Sequence, residues 1–168
     1  DRIAVIGFSA GGHLAANLAT SVSDDVLAAH GYDPDEVRPN GLMLSYPVIT
    51  SGPLEHRGSF AALLAETTDD QNALDAVSIE PHIDAKTPPV FVGHTLPDGC
   101  VPCENTLRRI DACKKAGVSI EAHLFPEGGH GLALGNAETA WQGVNGIEPC
   151  VQAWPKLAID WMRRTFAK

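Results

Sequence analysis

The feature that most constrains the fold lies at the start of the chain, which reads DRIAVIGFSAGGH over residues 1–13. An unbroken apolar run at residues 3–7 is typical of a β-strand that is buried on both faces. Two glycines at 11 and 12 then open a stretch rich in Leu and Ala, which predicts a helix over 13–21. A buried strand that leads through a tight turn into a helix indicates a parallel sheet with helices packed against it.

The rest of the chain continues this alternation of strands and helices. We predict further strands at 41–49, 89–94 and 118–125, and helices at 104–116 and 153–166. Residues 33–40 hold two prolines and four charges and are predicted to form a surface connection. The longer polar stretch at 50–89 reads as an insertion with two short helices, near 59–64 and 71–77. The prediction is a single α/β domain over 1–168, a parallel sheet with helices on both faces and a cap-like insertion at about 50–89.

Composition excludes several classes of function. The chain has 168 residues, enough for one domain with a real core, and a net charge of −9 that argues against nucleic acid as a partner. No apolar run approaches the length of a membrane span, so no membrane partner is expected. No leader segment is recognisable, and we expect a cytoplasmic location.

The cysteines show no metal-ligand pattern. Cys100 and Cys103 have a redox-like spacing, but no second Cys or His pair stands at the spacing of a zinc site. We therefore expect ordinary thiols, with neither a metal nor an organic cofactor.

Ser9 stands at the centre of Gly-Phe-Ser-Ala-Gly, where the apolar strand ends and the helix begins. This is the position of a nucleophile elbow, a sharp turn that needs small residues and presents a serine hydroxyl above the sheet. The backbone N–H of Ala10 would then face developing negative charge and form part of an oxyanion hole. The alternative is a glycine-rich turn whose serine only caps the helix.

Serine needs a base to accept its proton, and two later strands end in suitable residues. Asp98 follows the strand at 89–94, and His130 follows the strand at 118–125 between glycines. The order Ser9, Asp98, His130 is the order of α/β-hydrolases, with Asp98 holding His130 and His130 accepting the serine proton. Alternatively, Asp98 is a turn residue before glycine, and His130 is a loop residue with no functional role.

Four other residues are candidates for different roles. His13 is predicted to pack near the helix N-terminus, although it could line the pocket. His94 is predicted to support the Asp98 loop, and His123 to contact helices from the middle of a strand. Glu127 shares the loop of His130 and is predicted to form a turn rather than to act as the acid.

Several stretches resemble the bacterial acetyl esterases of the α/β-hydrolase superfamily, which are often labelled acetyl-xylan-esterase-like. These stretches are spread over nearly the whole chain: GFSAGGHLA at 7–15, YPVI at 46–49, HRGSF at 56–60, HT at 94–95, D-x-x-VP at 98–102, EN at 104–105 and FPEGGHGL at 125–132. The resemblance implies the same roles for Ser9, Asp98 and His130, and hydrolysis of short acyl esters, often acetyl groups on sugars. Pro97 and Cys100 depart from the family pattern, which has an acidic and an aliphatic residue there.

The resemblance also implies several strands before the nucleophile strand, and a glycine-rich loop among them that supplies a second oxyanion donor. Three or four such strands with their crossovers need on the order of 100 residues. We therefore expect the C-terminal portion of an α/β-hydrolase fold with the N-terminal strands absent. A missing N-terminal half, or a second chain, is expected to complete the sheet.

The function expected from these features is a serine esterase acting on a small acyl ester or an acylated sugar such as acetylated xylan. Two alternatives stay open. One is a serine peptidase of the prolyl-oligopeptidase type, which shares the elbow and the order of the three residues. The other is a truncated hydrolase without catalytic activity that acts as a binding module.

Overall fold

Four parallel strands form the centre of the molecule. The structure, a computed structural model, describes residues 2–143 and 146–167. The strands lie in the sheet in chain order and are β1 (Ala4–Phe8), β2 (Gly41–Ser45), β3 (Val90–Thr95) and β4 (Ile120–Phe125). Because all four are parallel, their carboxyl ends meet at one edge of the sheet. Every predicted strand is present, and the predicted parallel sheet is confirmed.

Helices connect the strands and cover both faces of the sheet. They are α1 (Ala10–Thr20), α2 (Asp24–Ala29), α3 (Pro34–Val37), α4 (Arg57–Leu64), α5 (Gln71–Val77), α6 (Glu104–Ala116) and α7 (Trp154–Phe166). Short 3₁₀ turns lie at Ala65–Thr67, Glu80–His82 and Val151–Ala153. No helix within the described ranges has the length and apolar character to span a membrane.

The apolar core has a layer on each side of the sheet. On one side, Ala16 of α1 and Cys113 of α6 pack against Leu44 and Val92 of the central strands. On the other side, aromatic residues of α7 pack against Phe91 of β3. The two layers explain why the central strands β2 and β3 read as continuous apolar runs.

Two strand predictions need correction. The second strand ends at Ser45 and not at 49, because Tyr46 adopts a φ of 39° and Pro47 has no N–H for a ladder hydrogen bond. β1 is not buried on both faces: it pairs only with β2 in the described sheet, and Ile6 is 45% exposed.

The segment between β2 and β3 carries α4 and α5. Its Val48, Phe60 and Leu74 form a small core together with Val101, which follows β3. Asn105 of α6 is fully buried and holds the first residues of this segment against α6. Its Oδ1 accepts hydrogen bonds from the N–H groups of Ile49 and Thr50 at 2.9 and 3.0 Å, and its Nδ2 donates to the carbonyl of Leu54 at 3.0 Å. The segment is therefore held beside the carboxyl edge of the sheet.

Candidate active site

Ser9 occupies a strained turn between β1 and α1. Its φ of 52° and ψ of −122° lie outside the regions that non-glycine residues favour. The turn brings strand and helix so close that a Cβ on Gly7 would lie 2.3 Å from the carbonyl oxygen of Gly11. The Ser9 N–H donates to the carbonyl of Ser45 at 3.0 Å, which fixes the turn to the end of β2. This is the geometry expected for a nucleophile elbow.

The three residues predicted from the strand ends form one hydrogen-bonded chain. The hydroxyl oxygen of Ser9 lies 2.8 Å from Nε2 of His130. Nδ1 of the same ring lies 2.7 Å from Oδ2 of Asp98. Ser9, Asp98 and His130 are far apart along the chain. They meet because each follows a strand whose carboxyl end lies at the same edge of the parallel sheet. The arrangement has the distances that proton transfer from a serine to an imidazole requires.

Asp98 is held as a carboxylate by several donors. Its side chain is fully buried, and burial alone would raise its pKa. Donation from His130 and His94, and from the backbone N–H groups of Cys100 and Val101, outweighs burial and holds the pKa of Asp98 well below its ordinary value. Asp98 therefore carries a negative charge beside His130 at any ordinary pH, which orients the ring and stabilises its protonated form.

His94 contacts the buried carboxylate directly. Its Nε2 lies 3.2 Å from Oδ2 of Asp98 and 3.0 Å from the carbonyl oxygen of Val101, so this nitrogen faces two acceptors and carries a proton. Its Nδ1 lies 2.8 Å from the hydroxyl of Thr106 on α6. The predicted support of the Asp98 loop thus takes the form of a second imidazole on the same carboxylate oxygen that His130 contacts.

Tyr46 is a site residue that sequence reasoning missed. Its ring lies 4.8 Å from the ring of His130 in an edge-on arrangement. Its hydroxyl accepts the N–H of Ala133 at 3.1 Å, just beyond the His130 loop. Burial raises the pKa of Tyr46, and the nearby charge of Asp98 raises it further, so the phenol stays neutral. The predicted strand runs to residue 49, so the sequence places Tyr46 inside the strand and not at its carboxyl end, where Ser9 lies.

The backbone N–H of Ala10 begins helix α1 and, within the described residues, donates to no carbonyl oxygen. It follows Ser9 immediately, and the first N–H groups of a helix attract negative charge. The Ala10 N–H is therefore available to a negatively charged group that binds at this end of the helix.

The other candidate residues lie away from the hydrogen-bonded chain. Nε2 of His13 donates to the carbonyl of Val77 at 2.8 Å, as expected for a packed residue near the start of α1. Nε2 of His123 contacts Glu121 at 3.0 Å on β4. Cys100, which departs from the family pattern, is exposed, and its Sγ lies 3.5 Å from Nε2 of His56.

One group of potential metal ligands is present in the described ranges. It consists of Glu127, Glu148 and Cys150, whose ligand atoms lie within 4.8 Å of one another. Glu127 is exposed and Glu148 and Cys150 are half-buried, and such groups are common on protein surfaces without a metal. Acyl transfer through serine, histidine and aspartate needs no ion.

Comparison with known proteins places the chain in a family. The sequence profile of the prolyl oligopeptidase family matches residues 1–143. The endo-1,4-beta-xylanase B of Butyrivibrio fibrisolvens is 35% identical over 144 residues, which are 84% of this chain and 22% of that protein. The acetylxylan esterase of Xylanibacter ruminicola is 30% identical over 139 residues, which are 80% of this chain and 27% of that protein.

Solved structures share the fold. The acetyl ester-xyloside bifunctional hydrolase from Caldicellulosiruptor lactoaceticus superposes with a TM-score of 0.77 at 39% identity, over 97% of this chain and 56% of that one. The chain thus spans about half the length of this structure and about a quarter of the two relatives. The α/β-hydrolase fold and the resemblance to acetylxylan-esterase-like proteins are both confirmed. On these matches, the chain belongs to the prolyl oligopeptidase family.

Proposed function

We propose that the protein is a serine esterase that removes short acyl groups, in particular acetyl groups from carbohydrates such as xylan. The observation that carries this proposal is the continuous hydrogen-bonded chain from Ser9 through His130 to Asp98. A strained elbow serine, a buried carboxylate and a helix N–H at Ala10 that has no carbonyl acceptor among the described residues are parts that acyl transfer uses.

In the proposed mechanism, Oγ of Ser9 attacks the ester carbonyl carbon while Nε2 of His130 accepts the serine proton. The negative charge that develops on the carbonyl oxygen faces the N–H of Ala10. The carbon–oxygen bond to the alcohol then breaks, and His130 returns the proton to the departing alkoxide. Water attacks the acyl group on Ser9 with the same proton transfers, which releases the carboxylic acid and restores the serine.

The substrate is suggested by the similar proteins. Among them are an acetylxylan esterase and an acetyl ester-xyloside bifunctional hydrolase. These names support an acetylated sugar as the small-molecule partner. A cytoplasmic location, and a further segment or chain that completes the sheet beyond β1, are parts of the same proposal.

The second candidate is a peptidase of the prolyl-oligopeptidase type, which the family profile favours. Acetylated xylan and a proline-containing peptide separate the two candidates. Release of acetate without peptide cleavage supports the esterase, and the reverse result supports the peptidase.

The test of the site is a fluorophosphonate probe, which reacts with activated serines. We expect intact-mass analysis to show one adduct per chain, and none in Ser9→Ala or His130→Gln. Circular dichroism on each variant checks that it is folded. A folded wild-type chain that takes up no probe would contradict the proposal and support the alternative of a binding module without catalytic activity.

A further inference from the structure

An apolar cavity of about 500 Å³ lies between α1 and the segment that joins β2 to β3. This volume is typical of small-molecule sites, which measure roughly 300–1,000 Å³. One end of the cavity lies beside the elbow. Ser9 itself does not line it, but Ala10, which follows Ser9, and Val48, whose N–H donates to the Ser9 carbonyl at 3.2 Å, both do. From there the cavity follows one face of α1 past Leu14 to Asn17.

The lining of the cavity suits an aliphatic chain. Val48, Phe60 and Leu63 line it opposite α1. Leu14 and Leu63 expose 71% and 55% of their surface, so a chain that lies between them would remove apolar area from water.

The one ionisable ring in the lining belongs to His13. Its Nε2–H is engaged by the carbonyl of Val77, and burial lowers its pKa, so the ring is neutral at neutral pH. An apolar occupant therefore meets no charge in the cavity.

The position of His130 indicates which part of an ester the cavity receives. The alcohol must take its proton from Nε2 of His130, so it leaves on the side of that ring. In the part of the chain that the structure describes, His130 hydrogen-bonds to Ser9 and Asp98 and lies against Tyr46. His130, Asp98 and Tyr46 do not line the cavity, whereas Ala10, the residue after Ser9, does. The acyl group, which stays on Ser9, is the part that lies toward the cavity.

We propose that this cavity binds the acyl chain of the ester and that it accepts straight aliphatic chains longer than acetyl. An acetyl group has a single carbon beyond the carbonyl and would leave most of the volume unfilled. This inference rests on the proposed esterase function and extends its substrate class from acetyl to longer acyl esters.

The first test compares hydrolysis of p-nitrophenyl hexanoate with that of p-nitrophenyl acetate. Each methylene that leaves water contributes about fourfold to kcat/KM (~0.8 kcal/mol), so partial burial of the longer chain predicts a hexanoate-to-acetate ratio above about 10. Ala62→Phe places a ring in the cavity and should lower this ratio by about tenfold. Ala61→Phe, the same substitution at the adjacent exposed position of α4 outside the cavity lining, should leave the ratio unchanged. Equal ratios in wild type and both variants would overturn the inference.

The second test measures binding without turnover. We expect hexanoate to bind more tightly than acetate by at least about tenfold, with NMR shift changes at the methyl groups of Leu14 and Leu63 that Ala62→Phe abolishes. If the chain takes up no fluorophosphonate and hydrolyses no ester yet binds hexanoate in this way, the proposed function fails and the cavity assignment stands. If it hydrolyses acetate but neither prefers nor binds hexanoate, the esterase function stands and the cavity assignment fails.

Discussion

His94 connects α6 to the carboxylate that orients His130, because its ring lies between the hydroxyl of Thr106 and Oδ2 of Asp98. In the proposed mechanism it is a positioning residue, since it contacts Asp98 and not Ser9 or His130. We expect His94→Phe to lower kcat by about 10- to 100-fold, because a hydrogen bond to a charged group is worth about 1.5–3 kcal/mol. His94→Gln keeps an N–H donor on a side chain of similar reach and should recover part of this loss.

A pH profile separates this role from a merely structural one. Without the His94 donor the Asp98 carboxylate attracts the ring proton of His130 more strongly. The acid limb of kcat/KM should therefore move to higher pH in His94→Phe and return toward the wild-type position in His94→Gln. A uniform loss of activity at every pH would contradict the positioning role.

The charge of Asp98 also makes the stability of the fold depend on pH. The pKa of Asp98 in the folded chain lies below the ordinary value of 3.8, so the unfolded state takes up its proton first as the pH falls. The stabilisation is complete above that ordinary value and is lost as the pH falls through the folded pKa. We expect the free energy of unfolding in urea to drop more steeply below pH 4 in wild type than in Asp98→Asn, which has no proton to bind there. Parallel curves would contradict the prediction.

At the scale of residues, the sequence predicts the candidate site residues that follow predicted strands. It does not predict the residues that reach the site through packing of the folded chain. Ser9, Asp98 and His130 could be named because each follows an apolar run, and parallel strands bring such positions to one edge. The contact of Tyr46 with His130 depends on a positive φ after β2, which a Tyr-Pro sequence does not reveal. Thr106 reaches His94 from a helix whose rotation depends on the whole core.

At the scale of elements, the helices Gln71–Val77 and Glu104–Ala116 have the bounds that the sequence predicts. The helix Glu104–Ala116 is followed by Gly117, which adopts a left-handed conformation that is typical of a helix C-terminus. The short helix α2 was not predicted, although Ser23 caps it and Asp24 and Asp25 occupy its first turn. Helices this short depend on the surrounding fold, so local signals alone do not establish them.

β1 and α1 can approach each other this closely only because residue 7 is glycine. A Cβ on Gly7 would lie 2.3 Å from the backbone oxygen of Gly11, so Gly7→Ala forces the helix away from the strand. We expect this change to destabilise the protein by about 3 kcal/mol or more and to abolish fluorophosphonate labelling of Ser9.

Gly11→Ala is the matched control, since a Cβ there has no neighbour within 4 Å. A glycine inside a helix costs about 0.5–1 kcal/mol relative to alanine, so this variant should be slightly more stable than wild type. Urea unfolding followed by circular dichroism measures both variants. Equal stability of the two would show that the close approach of strand and helix does not limit the fold.

At the scale of the whole molecule, the β1 edge of the sheet exposes apolar side chains. β1 and α1 present a groove that includes Val5, Ile6, Phe8 and Leu14, and both Ile6 and Leu14 are exposed. A strand edge with apolar side chains is prone to pair with another chain. The net charge of −9 opposes such contact between copies, because like-charged molecules repel.

We therefore predict that this chain associates with itself in a salt-dependent manner. The Debye length falls from about 30 Å at 0.01 M salt to about 3 Å at 1 M, so salt removes the repulsion and leaves the apolar attraction. Sedimentation velocity should show a larger associated fraction at high salt, and Ile6→Thr should reduce it while keeping a residue that favours strands. Ile159→Thr on α7 is the matched control, because Ile159 is 43% exposed and Ile6 is 45% exposed. If both variants associate like wild type, or if both lose association equally, the β1 edge is not the surface through which copies meet.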